Sequence, residues 1–429
     1  DGDTTMSILI QNGRVIDPAN GVDEVTNLYI EDDRIVAVGD APADFEADET
    51  IDASDQWIIP GLVDLGARLR EPGQEHKGTI ASETRAAASA GITSIACLPN
   101  TDPAIDSPAA VDFVCQQAED AGYAEVHVIG ALTQGLEGKA LSEMAALKKM
   151  GCVGVSQQLT PGNDLQVLRN AMDYAASEGL TVYFHPEAYS LAEGGCAHEG
   201  AIATRMGLKS IPEAAETAAL GVLIALVEQT GARTHFCRLS TARGANMVRR
   251  ARMDGLPISA DIAAHQAFLT EMDISDFNAL CHVRPPLRTE RDMKALRDGL
   301  ADGSIEVLCS DHQPHEADAK LAPFPATEPG ISGLETLLPL ALRLHEDGIL
   351  SLEMAISLVT SKPARILGID TGTLGNGKLA NICILDPDHS WHFDSAAMLS
   401  AGKNSPFDGW PFKGKVIRTM LAGETVYEA

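Results

Sequence analysis

The sequence predicts a (β/α)8 TIM barrel of the α/β class, joined to a small β-sandwich domain that is made from both chain ends. Two observations support this prediction. Short apolar runs alternate with longer segments of helical spacing through the middle of the chain. Strand-like segments, in which apolar and polar residues alternate, occupy both ends. We therefore expect residues 1–59 and 369–429 to form the sandwich and residues 60–368 to form the barrel.

The terminal strands are predicted from this alternation and from turn residues. The N-terminal segments read "SILIQNGRVID", "TNLYIEDDRIVAVGD" and "ADETIDASDQWIIPG", and they break at Asn-Gly, Asp-Asp and Gly-Asp pairs. The C-terminal segments read "ANICILDPD", "HSWHF" and "GKVIRTMLAGETVYEA". Two short β segments at opposite ends of a chain commonly complete one small sandwich.

The barrel is predicted from eight strand–helix units. Strands are expected at 62–66, 92–98, 125–131, 152–156, 180–185, 233–239, 257–261 and 305–310. Helices are expected between them, as in "TIASETRAAASAG", "PAAVDFVCQQAEDAG", "DLQVLRNAMDYAASEG" and "IPEAAETAALGVLIALVEQTG". The last segment has Pro212 near its start and Gly231 at its end, which is typical of a helix. In such a barrel, a functional site is built from the loops that follow the strands.

The composition excludes several classes of partner. The chain has 32 Lys and Arg against 61 Asp and Glu, a formal net charge of −29. Nucleic acids and anionic membrane surfaces require a basic face, so neither is expected as a partner.

No run approaches the roughly 18 apolar residues of a membrane span, and no cleavable signal is recognisable. The eight cysteines are scattered singly, mostly in apolar runs, which indicates reduced, buried thiols in a cytoplasmic protein.

An ordered set of motifs at the predicted strand ends resembles the dihydroorotase family of the amidohydrolase superfamily. The motifs read "GLVDLGARLREPGQEHKG", "PNT", "YFHPE", "HFCRLST", "VRPPLR", "SDHQPH", "TEPGISGLETLLPL" and "GKNSPFDGWPFKGKV". The resemblance is colinear from about residue 7 to the end of the chain. It implies a barrel that holds one or two zinc ions at the strand ends in active members.

The resemblance also implies a set of metal ligands. The family has an HxH pair after strand 1, a carboxylated Lys or an Asp after strand 4, one His after each of strands 5 and 6, and an Asp after strand 8. Zinc polarises the ring carbonyl and lowers the pKa of its bound water to about 7, while the Asp moves the proton. Each ligand position can be read in this chain.

Four of the six positions have lost their ligand. The HxH pair is replaced by Gly66, which has no ligand atom, and by Arg68, a cation that cannot coordinate zinc. The strand-4 stretch "CVGVSQQLT" (152–160) has neither Lys nor Asp. The histidine of strand 6 is replaced by Arg238. Two lost positions therefore carry a positive charge.

His185 after strand 5 and Asp311 after strand 8 are retained. A catalytic zinc needs about three protein ligands and a water molecule, and guanidinium groups would repel the ion. We therefore expect no metal cofactor and no catalytic residue. Asp311 is then a vestige of the aspartate that moves the proton in active members of the family. Arg68 and Arg238 are expected to pair with Asp311 and to replace the charge of the metal.

The substrate side of the family pattern is better preserved. The residues that hold the carboxylate of the substrate correspond to Arg70, Asn100 and His315. Either these residues now stabilise loops, or the vestigial pocket still binds dihydroorotate, carbamoyl aspartate or another small carboxylate weakly.

Other polar residues near the predicted site are interpreted as structural. His235, His265 and His282 match no metal-ligand spacing and are expected to be core or surface residues. Lys77 lies in "EPGQEHKG", which is interpreted as a loop retained for its backbone geometry. The Pro-rich loop 312–330 is expected over the barrel mouth, where it could serve as a docking surface.

The resemblance is strongest to inactive, dihydroorotase-like chains that assemble with bacterial aspartate carbamoyltransferase. The leading hypothesis is therefore a noncatalytic scaffold subunit of that enzyme in pyrimidine biosynthesis, cytoplasmic and homodimeric, with the transferase catalytic chain as its partner. One alternative is an active dihydroorotase or related cyclic amidohydrolase, in which Asp311 is the base and Arg68 or Arg238 polarises the carbonyl. Another alternative is a scaffold for an unrelated partner.

Overall fold

The N-terminal residues form the first part of a β-sheet. In the computed structural model, residues 6–158 and 163–429 are described. Residues 159 and 160 of the predicted strand-4 stretch lie outside the described residues. The first five strands are β1 (Ser7–Asp17), β2 (Val22–Glu31), β3 (Arg34–Val38), β4 (Glu49–Asp52) and β5 (Trp57–Pro60). Strand β1 pairs antiparallel with β2 and parallel with β4 and β5, so it lies at the centre of this group.

The next ten strands include the barrel. They are β6 (Leu62–Ala67), β7 (Ile92–Cys97), β8 (Glu125–Ala131), β9 (Gly154–Gln158), β10 (Thr181–His185), β11 (Ala197–His198), β12 (Ser210–Ile211), β13 (Thr234–Phe236), β14 (Ile258–Ala263) and β15 (Val307–Cys309). All except β11 and β12, which pair with each other, form one parallel sheet in the order β15-β14-β13-β10-β9-β8-β7-β6. A parallel bridge between Ala67 and His312 links the two edges, so the barrel is nearly closed.

Helices follow the barrel strands and cover their outer faces. The α-helices are α1 (Ile80–Ser89), α2 (Pro108–Ala121), α3 (Met144–Lys149), α4 (Leu165–Glu178), α5 (Tyr189–Ala192), α6 (Ala201–Met206), α7 (Ala214–Thr230), α8 (Ala242–Met253), α9 (Glu290–Asp302), α10 (Leu337–Glu346), α11 (Leu352–Ser357) and α12 (Ser361–Leu367). Short 3-10 helices lie at Pro18–Asn20, Gln134–Leu136, Ala264–Ala267, Glu271–Ile274, Ala279–Cys281, Ala317–Lys320, Phe324–Ala326, Leu334–Thr336 and Ser395–Ala397.

Residues at the helix ends explain several of these boundaries. Thr79 caps α1 in a reciprocal capping box with Ser82. Helix α7 ends at Gly231, whose positive φ of 67° is accessible to glycine at little cost. The sequence predicted this end of α7 from the same glycine. None of the helices in the described part of the chain has the length and apolarity that a membrane crossing requires.

The C-terminal strands complete the first sheet. They are β16 (Ile382–His392), β17 (Pro411–Leu421) and β18 (Glu424–Glu428). Strand β16 pairs antiparallel with β5, which gives the order β18-β17-β16-β5-β1-β2-β3, with β4 on β1. This sheet has an apolar core of its own, which includes Ile10, Leu28, Ile58 and Ile382. The prediction that both chain ends build one β unit beside a TIM barrel is confirmed, whereas the domain boundaries stay a prediction.

Candidate functional site

A small cavity lies at the carboxyl-terminal end of the barrel strands, where the sequence predicts a site. Its volume is about 30 Å³, comparable with the space that one water molecule takes up. Its wall includes Gly66, Asn100, His185, Arg238 and Asp311. These residues lie in or directly after five different barrel strands. The fold therefore brings together residues that the family pattern places at one site.

The two lost positions at the carboxyl end of strand β6, Gly66 and Arg68, differ in the groups that they place in the site. A Cβ atom at Gly66 would meet no atom within 4 Å, so this position leaves open space and offers no donor. Arg68 is half-buried, and its Nη1 donates a hydrogen bond of 2.9 Å to Oε1 of Gln313. Its main-chain N–H donates to the carbonyl of His312 at 3.0 Å. The guanidinium of Arg68 is thereby fixed next to the segment that follows β15.

Arg238 forms a buried ion pair with Asp311. Its Nη1 lies 3.5 Å from Oδ1 of Asp311, and the side chains are 7% and 4% exposed. The same carboxylate oxygen accepts a hydrogen bond of 3.0 Å from Nε2 of Gln313. The predicted pairing of Arg238 with Asp311 is confirmed. Arg68 does not reach Asp311 directly but is linked to it through Gln313.

Both guanidinium groups carry a positive charge at neutral pH. Burial, together with the charge of nearby Arg238, lowers the pKa of Arg68 to about 9. Burial also opposes the charge of Arg238, but Asp311 and other acidic groups outweigh it and raise its pKa. Two cations therefore face one paired carboxylate where the family pattern places a metal dication.

The ligand set that remains does not fit a catalytic zinc ion. Nδ1 of His185 lies 3.2 Å from the carbonyl oxygen of Cys237, and Asp311 is paired with Arg238. The wall contributed by β9 consists of Ser156, Gln157 and Gln158, which are neutral. Fewer than three ligands of the family pattern are present, and cations occupy the space around them. No reaction step through a metal ion can be derived from this donor set.

His185 faces a carboxylate that the sequence analysis did not identify. Its Nε2 lies 3.6 Å from Oε2 of Glu187, and Arg284 lies 2.5 Å from the other carboxylate oxygen. Burial acts to raise the pKa of Glu187, yet His185 and Arg284 lower it to about 2. The retained histidine is thus part of a hydrogen-bonded and ionic group of the core.

His235 is a buried core residue, as the sequence predicts, and it also belongs to a cluster of potential ligand atoms. With Cys237 and Asp261 it forms one of two groups of described residues whose ligand atoms lie within 4.8 Å of one another. Oδ2 of Asp261 lies 2.7 Å from Nε2 of His235, and its Oδ1 accepts a 2.7 Å hydrogen bond from the N–H of Arg238. Burial raises the pKa of Cys237 well above its usual value, so this thiol stays protonated. The group is therefore hydrogen-bonded internally and contains no thiolate ligand.

The second group already contains a cation. His315, Glu316 and Glu328 surround the ammonium of Lys77, whose side chain is 5% exposed. Nζ of Lys77 lies 2.7 Å from Oε2 of Glu316 and also contacts Glu328. It lies 3.0 Å from Nδ1 of His315. The interpretation of Lys77 as a residue retained for loop geometry alone is incomplete, because its charge holds two carboxylates of the loop 312–330.

The three predicted substrate contacts are not arranged around one open pocket. Nη2 of Arg70 lies 3.4 Å from Nε2 of His315, and Nε of Arg70 donates to the carbonyl of Pro314 at 3.1 Å. Nη1 of Arg70 donates to Gln74 at 3.2 Å. Asn100 is exposed and lines the small cavity, which neither Arg70 nor His315 does. Arg70 and His315 therefore act on the loops in this structure.

Two other histidines are buried near the barrel mouth. Burial lowers the pKa of His265 and of His282 to about 4, so both are neutral at pH 7. Nδ1 of His282 lies 2.8 Å from the hydroxyl of Thr327, and the centroid of its ring lies 4.8 Å from that of the tilted Phe324 ring. His282 is thus a core residue that packs against the loop 312–330, as expected for a structural histidine.

Three residues of the site share a left-handed backbone. The φ values are 69° for Arg70, 59° for Arg238 and 45° for Asp311, a region that non-glycine residues rarely adopt. Such conformations cluster at functional sites of proteins. The backbone at these positions thus has the conformation typical of a functional site, although the side chains at the metal-ligand positions differ from the family pattern.

Comparison with known proteins agrees with this geometry. A model of the amidohydrolase family matches residues 57–426. The dihydroorotase-like protein of Pseudomonas aeruginosa is 46% identical over 423 residues, which cover 99% of this chain and 100% of that protein. The dihydroorotase of Syntrophotalea carbinolica is 42% identical over 422 residues, covering 98% of this chain and 99% of that protein.

Solved structures show the same fold. The L-hydantoinase (dihydropyrimidinase) of Arthrobacter aurescens is similar with a TM-score of 0.88 and 26% identity, covering 98% of this chain and 96% of that chain. The dihydropyrimidinase of Brevibacillus agri has a TM-score of 0.85 at 22% identity, covering 99% and 95%, a likeness of fold alone. From the family match and these relatives, this chain belongs to the amidohydrolase family and resembles its dihydroorotase-like members.

Proposed function

We propose that this chain is a noncatalytic, dihydroorotase-like subunit that acts as a scaffold for the catalytic chain of aspartate carbamoyltransferase. The observation that supports it most is the ion pair between Arg238 and Asp311. An arginine occupies the place of a ligand and engages the aspartate that would move the proton, so the site offers neither a complete set of metal ligands nor a free base. A barrel with this site lacks the groups that hydrolysis requires, so we propose that its preserved fold serves to bind a partner.

The size of the cavity supports the same proposal. Pockets that bind small molecules usually have volumes of about 300–1,000 Å³. The cavity at the barrel mouth has about 30 Å³. A cyclic amide does not fit there without movement of the surrounding side chains.

We propose this partner because the chain resembles inactive dihydroorotase-like chains that assemble with the transferase. We also propose that the scaffold is a homodimer in the cytoplasm.

The decisive experiment is co-expression with the transferase catalytic chain of the same organism. We expect the transferase to form a stable, active complex only when this chain is present. Full assembly and activity of the transferase on its own would contradict the scaffold role.

A matched variant separates the scaffold role from a residual role in catalysis. Asn100→Ala removes an exposed side chain that lines the cavity, with little expected effect on folding. If this chain acts only as a scaffold, the variant supports assembly as well as the unmodified chain does. A loss of transferase activity without a loss of assembly would argue that the cavity takes part.

The second candidate is an active cyclic amidohydrolase, which the 42% identity to a protein named dihydroorotase favours. In that case Asp311 would serve as the base and Arg68 or Arg238 would polarise the carbonyl. An arginine can stabilise an oxyanion, but it does not generate hydroxide at neutral pH. Measurement of dihydroorotate turnover distinguishes the two candidates.

A further inference from the structure

A second, larger pocket opens at the amino-terminal end of the barrel strands, opposite the small cavity. Its volume is about 800 Å³, which is within the range of small-molecule sites. Thr181 and Ile258, which begin β10 and β14, contribute to its wall. Arg252 of α8 and Arg365 of α12 contribute as well. None of the residues of the candidate site described above takes part in it.

Positive side chains are concentrated at this pocket, although the chain as a whole is strongly acidic. Four cationic residues line it, Lys148, Arg233, Arg252 and Arg365, against a single carboxylate, that of Glu306. The complete chain has 61 acidic and 32 basic residues, the opposite balance. A pocket lined by one sign of charge concentrates ions of the other sign. The pocket is therefore suited to an anion.

Internal ion pairs compensate only part of this charge. Arg252 and Arg365 both contact the carboxylate of Glu306, and the side chain of Arg365 is still 68% exposed. Arg233 donates to neutral oxygens, that of the Thr181 hydroxyl at 2.9 Å and that of the Gly179 carbonyl at 2.7 Å. Within residues 6–158 and 163–429, Arg233 has no ion-pair partner. Arg233 thus lacks a counter-ion among the described residues, and Arg365 shares the carboxylate of Glu306 with Arg252.

The rest of the wall is apolar. Leu180, Ile258, Ile366 and Leu367 line the pocket beside the cationic residues. A guanidinium presents a planar fork of donors that matches the oxygens of a phosphate group. We propose that this pocket binds a phosphate ester of a small organic molecule, with the phosphate on Arg233 and Arg365 and the organic group on the apolar wall. The proposal uses no residue of the candidate site and is independent of the scaffold role.

The first test is calorimetric titration of the full chain at low ionic strength with adenosine triphosphate, inorganic triphosphate and adenosine as probes. We expect adenosine triphosphate to bind at least about tenfold more tightly than inorganic triphosphate, because only the former can use the apolar wall. We expect its affinity to fall as salt is added. Absence of heat with adenosine triphosphate at several millimolar, or equal binding of the two triphosphates, would overturn the proposal.

The second test uses variants to locate the site. Arg233→Gln with Arg365→Gln removes two donors and is expected to weaken binding of adenosine triphosphate by about tenfold or more. The control is Arg250→Gln, which removes an arginine that is 80% exposed on α8 and away from the pocket wall. Equal affinities in the double variant and the control would place the ligand elsewhere and overturn the proposal.

A third measurement needs no substitution, and so does not depend on how the variants fold. Hydrogen exchange of the unmodified chain is compared with and without adenosine triphosphate. We expect slower exchange in residues 255–259 and 365–368, which form two sides of the pocket. Protection confined to the barrel mouth would contradict the assignment of the site.

Discussion

Arg238 occupies a position where the family pattern has a histidine. Its Nη1 lies 3.5 Å from Oδ1 of Asp311, and both side chains are buried. A buried ion pair is costly to form, but its disruption is costlier because one charge is left without a partner. Gln313 supports the pair by donating to Asp311 and accepting from Arg68. The charge of Asp311 is thus compensated within the chain, whereas the buried Nε atoms of Arg68 and Arg238 have no hydrogen-bond partner in the described part of the chain.

The first prediction concerns this ion pair. Replacement of Arg238 by Met should lower the free energy of unfolding by about 3 kcal/mol, because Asp311 is left buried and unpaired. Addition of Asp311→Asn should restore part of this loss. Urea unfolding measures both variants. Lys294→Met, which breaks an exposed pair with Asp298, is the control, with an expected loss below about 1 kcal/mol. Equal losses in the buried and exposed pairs would contradict the prediction.

The second prediction concerns pH. The pKa of Glu187 is lowered to about 2, below the value of an unfolded chain, so its contribution to stability is complete above about pH 4.5 and is lost as the pH falls towards 2. In Glu187→Gln, the decrease in unfolding free energy between pH 5.5 and pH 3 should be smaller by roughly 1–2 kcal/mol. Urea unfolding at a series of pH values measures it. An unchanged pH dependence, matching that of the exposed control Glu24→Gln, would show that Glu187 is not paired.

The sequence revealed only part of the site at the residue scale. Gly66, Arg68 and Arg238 were identified because each one replaces a ligand at a known place in a motif. Gln313 was missed because an amide carries no charge that would predict a partner. Lys77 was underestimated because its partners, Glu316 and Glu328, follow it by 239 and 251 residues, and a contact between such distant residues arises only from the fold.

At the scale of elements, the loop 312–330 is attached to the barrel mouth at several points. Lys77 holds Glu316 and Glu328, and His282 lies against Thr327. That this loop could serve as a docking surface stays a prediction. Its ionic and hydrogen-bonded contacts argue that it keeps one conformation.

The third prediction tests this attachment. Lys77→Met leaves two carboxylates of the loop without their cation, so the loop should open more often. We expect amide exchange in residues 316–328 to become faster by about tenfold, which corresponds to about 1.4 kcal/mol of local stability. Lys139→Met, at an exposed pair with Glu137, is the control. Unchanged exchange in the loop would show that other contacts hold it.

The existence and order of the barrel strands were predicted more accurately from sequence than the residues at which the strands end. Each of the eight barrel strands overlaps its predicted range because fully buried parallel strands are continuous apolar runs. The sixth strand was expected at 233–239 but ends at Phe236. The following segment has Arg238 in a left-handed backbone conformation, which ends the strand. The sequence gives no local sign of this turn, since arginine has no preference for it.

At the scale of the whole molecule, the terminal sheet joins the two ends of the chain, and the barrel carries the two pockets. The terminal sheet joins residues more than 300 positions apart, as β5 pairs with β16. The barrel presents a nearly filled cavity at one end and a basic pocket at the other. The fold of the family is therefore preserved while the residues at its metal-ligand positions differ, as the proposed scaffold role requires.

The most direct test of this account is the metal content and the activity of the unmodified chain. The protein is expressed with zinc supplied, and bound metal is measured by elemental analysis together with dihydroorotate turnover. The dihydroorotase of Syntrophotalea carbinolica, assayed in parallel, is the positive control. We expect less than about 0.1 zinc per chain, since a catalytic zinc needs about three protein ligands, and no turnover above background. One or more zinc ions per chain with turnover would contradict the account.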